Sequence, residues 1–217
     1  MRRRITFIAG HYGSGKSEIS VNLAIQDKLN YLVDLDVVNP YFRSRALKEL
    51  LDEHDITLVE STIEGKLNSD MPYVSGKGRF PLQHKEVTAI YDLGGTENGT
   101  RVLHQFIEYI EDLKEVDFLC VVNIFRPETA TTKDILKTIM MYEAETQLKI
   151  TGLINNTNLM GETTQEMIDE GEKVLQEVSK ILDIPVLYTV IEETKQNLTC
   201  AFGERLDLNR YVAKKWL

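Results

Sequence analysis

Two cysteines, five prolines and one tryptophan are spread over 217 residues, and each scarcity narrows what the chain can be. Cys120 and Cys200 stand far apart, with no C-x-x-C pair and no cysteine or histidine neighbour at ligand spacing. That excludes a disulfide scaffold and leaves no readable zinc or iron–sulfur site. Cys120 lies inside the apolar run Phe118–Val122, a setting for a buried and inert thiol. Low cysteine usage fits a reducing compartment. No window approaches the roughly 18 apolar residues of a membrane span. Met1-Arg2-Arg3-Arg4 is followed by only five residues before Gly10, too few for a signal-peptide core. The expectation is a cytoplasmic protein without a membrane role. Positive charge is also in short supply: 25 Lys and Arg face 34 Asp and Glu, a net charge of −9. This argues against a nucleic-acid backbone as the main partner, which would want a clustered basic surface.

What is present is an alternation of short apolar runs and longer helical patterns. Ile5–Ala9, Tyr31–Leu35, Val87–Leu93, Asp117–Ile124, Ile150–Asn155 and Val186–Ile191 are rich in Val, Ile, Phe and Tyr. They are mostly continuous in apolarity, as strands buried on both faces are. Val102, Phe106, Ile110 and Leu113 recur at helical spacing, as do Met167, Gly171, Val174, Val178 and Ile181. Thr163 with Glu166 reads as a capping box opening the second of these helices. Met140-Met141 shares a helix pattern with Ile135, Leu136 and Ile139 and reads as core. The stretch Leu208–Leu217 is amphipathic and reads as a last helix docked on the sheet. The expected architecture is α/β: one domain over 1–217, with a mostly parallel central sheet flanked by helices on both faces. Thr62–Glu86 breaks the alternation with Gly65, Pro72, Gly76, Gly78 and Pro81, and a short helix is expected near Asp70–Tyr73.

Gly10-His11-Tyr12-Gly13-Ser14-Gly15-Lys16-Ser17 matches G-x-x-x-x-G-K-[ST] in full, with a strand before it and the helix pattern Ile19, Leu23, Ala24 after it. Each residue type has a chemical reason. Gly10, Gly13 and Gly15 let the backbone curl so that successive N–H groups, including that of Ser14, point at phosphate oxygens. Lys16 reaches the outer phosphates and Ser17 offers its hydroxyl to Mg²⁺. Asp34-Leu35-Asp36 and Asp92-Leu93-Gly94-Gly95 end the next two expected strands, on the side of a parallel sheet where ligands sit. Carboxylates there can meet a phosphate-bound Mg²⁺ directly or through water. For one of Asp34 and Asp36 the expectation is a solvated strand end. The four histidines, His11, His54, His84 and His104, form no set at catalytic or ligand spacing.

The P-loop, the D-x-D, the D-x-G-G and the Asn-rich strand end together resemble the MinD/ParA/CobQ/CobB-type nucleotide-binding proteins. That class also holds nitrogenase iron protein and the arsenite-pump ATPase. The stretches Val33–Arg45 and Asp92–Arg101 also look like poorly characterised ATP-binding proteins of the group. The resemblance implies that Lys16 and Ser17 are the phosphate lysine and magnesium hydroxyl, and that Asp36 positions the attacking water as switch I. It makes Asp92 and Gly95 switch II, and Asn156 a contact to the base. It also implies a protein partner and a nucleotide-dependent homodimer. Many members carry a second lysine at the second P-loop position, where this chain has His11; Arg43, Arg45 and Arg101 are the candidate substitutes. Guanine-specific P-loop proteins use N-K-x-D, whereas Asn155-Asn156-Thr157-Asn158 offers no carboxylate, which favours ATP over GTP. The leading functional expectation is an ATP- and Mg²⁺-dependent ATPase acting as a switch for a protein partner. The alternative is a small-molecule kinase or ATP-dependent ligase, with Thr62–Glu86 as the acceptor wall. A metalloenzyme-maturation role is disfavoured by the missing metal ligands.

Overall fold

A computed structural model describes residues 3–36, 45–60 and 76–212. The strands are β1 (Ile5–Gly10), β2 (Tyr31–Asp34), β3 (Thr57–Val59), β4 (Ala89–Asp92), β5 (Val116–Val122), β6 (Gly152–Asn155), β7 (Val186–Glu192) and β8 (Glu204–Leu208). They form one sheet in the order β3-β2-β4-β1-β5-β6-β7-β8, and every neighbouring pair is parallel. β1 is central, with Ile8 in register with Asp92 of β4 on one side and Leu119 of β5 on the other. Its alternation sends Ile5, Phe7 and Ala9 into one core and Ile8 into the other, as the period of two requires.

The helices supply the two covers. Helices α1 (Lys16–Gln26) and α2 (Arg45–Glu53) pack Ile19, Leu23, Leu47 and Leu51 on one face. After the short α3 (Phe80–Gln83), α4 (Glu97–Arg101) and α5 (His104–Ile107), the long α6 (Thr132–Thr146) and α7 (Gln165–Leu182) cover the other. They do so with Ile135, Ile139, Tyr142, Leu175 and Val178. Burying each of these large apolar side chains contributes about 1.5–3 kcal/mol. This is an α/β P-loop NTPase-like fold, as the sequence pattern predicts.

Several local expectations are corrected. β3 and β8 are additional strands at the two edges of the sheet, and their sequences carry no continuous apolar run. The helix read through Val102 and Leu113 is broken into α4 and α5, and Leu113 is exposed. The start of α4 is held by a tight local network. Thr96 caps α4 by accepting from Gly99 N–H, and Thr100 Oγ1 bonds the carbonyls of Gly94 and Thr96. The buried line of α7 is Ile168, Gly171, Glu172, Leu175 and Val178, which rotates Ile181 out to solvent. Thr164, not Thr163, occupies the N-cap of α7. Thr163 instead donates to Met160 O and accepts from Leu159 N–H. Met140 is 68% exposed rather than core, while Met141 packs against it. Leu208 closes β8 instead of opening a helix, and the rest of that stretch beyond Val212 lies outside the described residues, as do Arg43 and the helix expected at Asp70–Tyr73. Among the described residues no helix is long and apolar enough to cross a membrane.

Candidate functional site

The site is assembled where the carboxyl ends of β1, β2, β4, β5 and β6 meet the first turn of α1. Gly10–Ser17 joins β1 to α1 directly. Three of its glycines have positive φ: Gly10 at 154°, Gly13 at 73° and Gly15 at 92°. Gly15 is the N-cap of α1 in a left-handed conformation, which an L side chain enters only with strain. The curl leaves the Ser14 hydroxyl buried with no hydrogen-bond partner among the described residues. With the N-terminus of α1 beside it, this is a cradle suited to a phosphate oxygen.

Lys16 is buried, and its ammonium donates to the His11 carbonyl at 3.3 Å. Burial pulls its pKa below the ordinary value, while the carboxylates of Asp92 and Asp36 oppose that shift. Such a cation is held dry beside acidic neighbours and is ready to exchange a weak carbonyl contact for an anion. Ser17 donates to Asp92 Oδ2 at 2.5 Å, and Ser20 donates to Asp92 Oδ1 at 3.3 Å. Asp92 is completely buried, which pushes its carboxyl up to about 6 against the pull of Lys16 and the Ser17 hydroxyl.

Asp34 and Asp36 both lie in the site, and neither is a solvated strand end: they are 3% and 6% exposed. Asp34 sits in register with Asp92 across β2 and β4, and its Oδ1 accepts the Asp36 N–H at 2.9 Å. Burial, and then the neighbouring Asp92, raise its carboxyl to about 8. Asp36 is close enough to the phosphate loop to act on the Lys16 charge. A Cβ on Gly95 would lie 2.6 Å from Tyr12 N and 3.0 Å from Lys16 Nζ. The segment after β4 is therefore pressed onto the phosphate loop, and only a glycine fits there. Ser17, Asp92 and Asp36 form a hard-oxygen set of the kind that suits Mg²⁺ beside a phosphate. No cluster of three or more His, Cys, Asp or Glu among the described residues could hold a metal by itself. Ligand oxygens and water would have to complete the shell.

Asn156 is brought to the same place, but its side chain is engaged at both ends. Its Nδ2 donates to Ser14 O at 2.6 Å and its Oδ1 accepts from Asn158 at 2.6 Å. It ties the end of β6 to the phosphate loop. Of the arginines expected near the switches, Arg45 pairs with Glu49 and Arg101 with Glu97 and the half-buried Glu145. Among the described residues, the arginine that touches the phosphate loop carries no motif of its own. Arg126, after β5, donates from Nε to Gly13 O at 2.9 Å. Two residues on, Glu128 lies 3.3 Å from His11 Nδ1. The signal that could have found them is Asn123-x-x-Arg126-Pro127 at the end of a strand neighbouring β1. Cys120, in β5, is buried, which pushes its thiol up to about 12 and keeps it inert.

No protein-family model matches this chain. No curated protein matches it either. Solved structures do match in fold. The cell division protein FtsY from Thermotoga maritima aligns at 13% identity and TM-score 0.56, over 88% of this chain and 62% of its own. The signal recognition particle receptor FtsY from Elizabethkingia anophelis in complex with GDP aligns at 18% and 0.52, over 92% and 60%. Chloroplast FtsY from Physcomitrella patens aligns at 15% and 0.55, over 87% and 59%. This chain spans about three fifths of the length of these neighbours. What they share with it is the P-loop fold.

Proposed function

We propose that this chain is a P-loop nucleotide-binding protein of the MinD/ParA/CobQ/CobB type. In this reading it binds ATP with Mg²⁺, hydrolyses it slowly to ADP and phosphate, and works as a nucleotide-driven switch for a protein partner. The observation that carries the reading is the convergence on one phosphate cradle of Lys16, Ser17, Asp36, Asp92 and Gly95. They come from three different strand ends.

In this reading the N–H groups of Gly13 and Gly15–Ser17 and the Lys16 ammonium hold the β- and γ-phosphates, while the Ser14 N–H stays on the His11 carbonyl. Ser17, with Asp92 and Asp36 directly or through water, holds Mg²⁺, which when bound neutralises charge on the phosphate oxygens. Asp36 orients the water that attacks the γ-phosphorus as the bond to the β-phosphate oxygen breaks. Gly95, pressed on Tyr12 and Lys16, senses whether a γ-phosphate is present, because an added oxygen there has to displace the segment after β4. Adenine is favoured by the lack of a carboxylate in Asn155–Asn158. The GDP bound by the Elizabethkingia receptor makes guanine the competitor to test.

The test is phosphate release from Mg-ATP and Mg-GTP by the purified chain over a range of protein concentrations, with Lys16→Ala as control. Slow release from ATP that disappears in the variant supports the reading, and a rise per subunit with concentration supports a dimer. Binding without release would shift weight to a partner-activated switch or to the kinase or ligase reading. Failure to bind either nucleotide would sink the proposal.

A further inference from the structure

Arg126 is the one cationic side chain besides Lys16 whose hydrogen bonding, among the described residues, is directed at the phosphate loop. Its Nε–H is spent on Gly13 O at 2.9 Å. A Cβ on Gly13 would lie 3.2 Å from its Cζ and 3.4 Å from its Nη2, so the flat guanidinium lies against the Gly13 α-carbon. The Nη groups have no hydrogen-bond or carboxylate partner among the described residues. That sets Arg126 apart from Arg45 and Arg101, whose carboxylates already hold them.

Its perch is rigid. Residues 123–131 follow β5, where Asn123 Oδ1 accepts from Phe125 N–H and Thr129 donates back to Asn123 O. Asn123 Nδ2 reaches Asn158 O, and Thr138 of α6 holds Glu128 O. On the same turn Glu128 faces His11, whose Nδ1 lies 3.2 Å from Tyr12 O and 3.3 Å from the carboxylate. The His11 ring is thus turned to its own chain.

We infer that Arg126 is a phosphate-contacting residue, supplied by the chain to its own nucleotide, whose unpaired Nη groups take up the charge of the terminal phosphate. It supplies a fixed positive charge at the phosphate loop, against the Gly13 α-carbon. A guanidinium suits this because it stays charged and presents several donors in one plane. This inference rests on the nucleotide-binding reading above.

The experiment compares wild type, Arg126→Ala, Arg126→Lys and Lys16→Ala by direct binding of Mg-ATP and Mg-ADP, with Mg-GTP and Mg-GDP in parallel, and by single-turnover phosphate release. Thermal melting of each variant checks the fold. Arg126→Ala should weaken triphosphate binding about tenfold and diphosphate binding less than about twofold, and slow release by about tenfold or more. Arg126→Lys should recover part of each loss. Equal weakening of both nucleotides would mean that Arg126 merely braces Gly13, and would overturn the inference. So would unchanged binding and release in Arg126→Ala while Lys16→Ala loses both. No nucleotide binding by the wild type overturns the underlying reading, and this inference with it.

Discussion

The side-chain nitrogen of Asn156 donates to the Ser14 carbonyl at 2.6 Å, and the same nitrogen would stand 2.2 Å from a Cβ on Gly15. A residue 142 positions away in sequence thus fixes the curvature of the phosphate loop and dictates that its sixth residue be glycine.

Gly15→Ala should therefore fail for two separable reasons. A left-handed φ at a non-glycine residue costs about 1–2 kcal/mol, and the Asn156 amide has to move. In an Asn156→Ala background only the first cost remains, so the same substitution should destabilise less. Urea unfolding of the four proteins in this cycle measures the coupling. Additive losses would show that the contact with Asn156 carries no energy.

Asp34→Asn should stabilise the chain at alkaline pH. Burial raises Asp34 to about 8 and Asp92 to about 6, above the ordinary value of 3.8. The folded state therefore keeps protons that the unfolded chain has released. The stability this contributes is full below about 3.8 and is lost as pH rises through about 6 for Asp92 and about 8 for Asp34. Asparagine keeps an acceptor for the Asp36 N–H and has no proton to lose. The advantage of the variant should be small at pH 4 and of the order of a few kcal/mol at pH 8.5. Melting temperatures of both proteins across that range measure it, and parallel curves would refute the burial of a protonated Asp34.

Ser17→Ala should uncouple nucleotide binding from the divalent cation. In the wild type, added Mg²⁺ is expected to tighten triphosphate binding by about tenfold or more. In the variant that gain should largely vanish while Lys16 still holds the phosphates. Titrations with Mg²⁺ and with a chelator check this. A full Mg²⁺ effect in the variant would move the cation site away from Ser17.

Glu172→Ala should loosen the connection before β8. The carboxylate is 3% exposed and accepts from Thr189 Oγ1, Ala201 N–H and Phe202 N–H. Its removal strips the acceptor from the part-buried Ala201 and Phe202 N–H groups, while Thr189 keeps its bond to Phe202 O, a loss of about 1 kcal/mol for each N–H. Amide exchange should speed up first at Ala201, Phe202 and through β8, with β1 and β5 protected as before. Uniform exchange would mean that β8 does not open separately.

The legible parts of the site were those encoded by contiguous residues. Gly10–Ser17 is read from its own spacing. Asp92 and Gly95 were placed because the apolar run before them is a strand buried on both faces. Short edge strands left weaker traces. Thr57–Val59 is three residues long, and Glu204–Leu208 alternates charged and apolar residues because one of its faces is open. Nothing local to Glu172 announces that a loop thirty residues later turns its N–H groups toward it.

The sequence by itself determined the parallel sheet, the glycine-rich loop after β1 and the carboxylates at the neighbouring strand ends, since apolar periodicity and glycine spacing are local properties. Only the tertiary structure decided which side chains face the cradle. It buried both Asp34 and Asp36, bound Arg45 and Arg101 to their own helices and neighbours, and laid Arg126 against Gly13. The physical reason is that parallel strands adjacent in space are far apart in sequence. The loops that leave their carboxyl ends meet only after the sheet has formed.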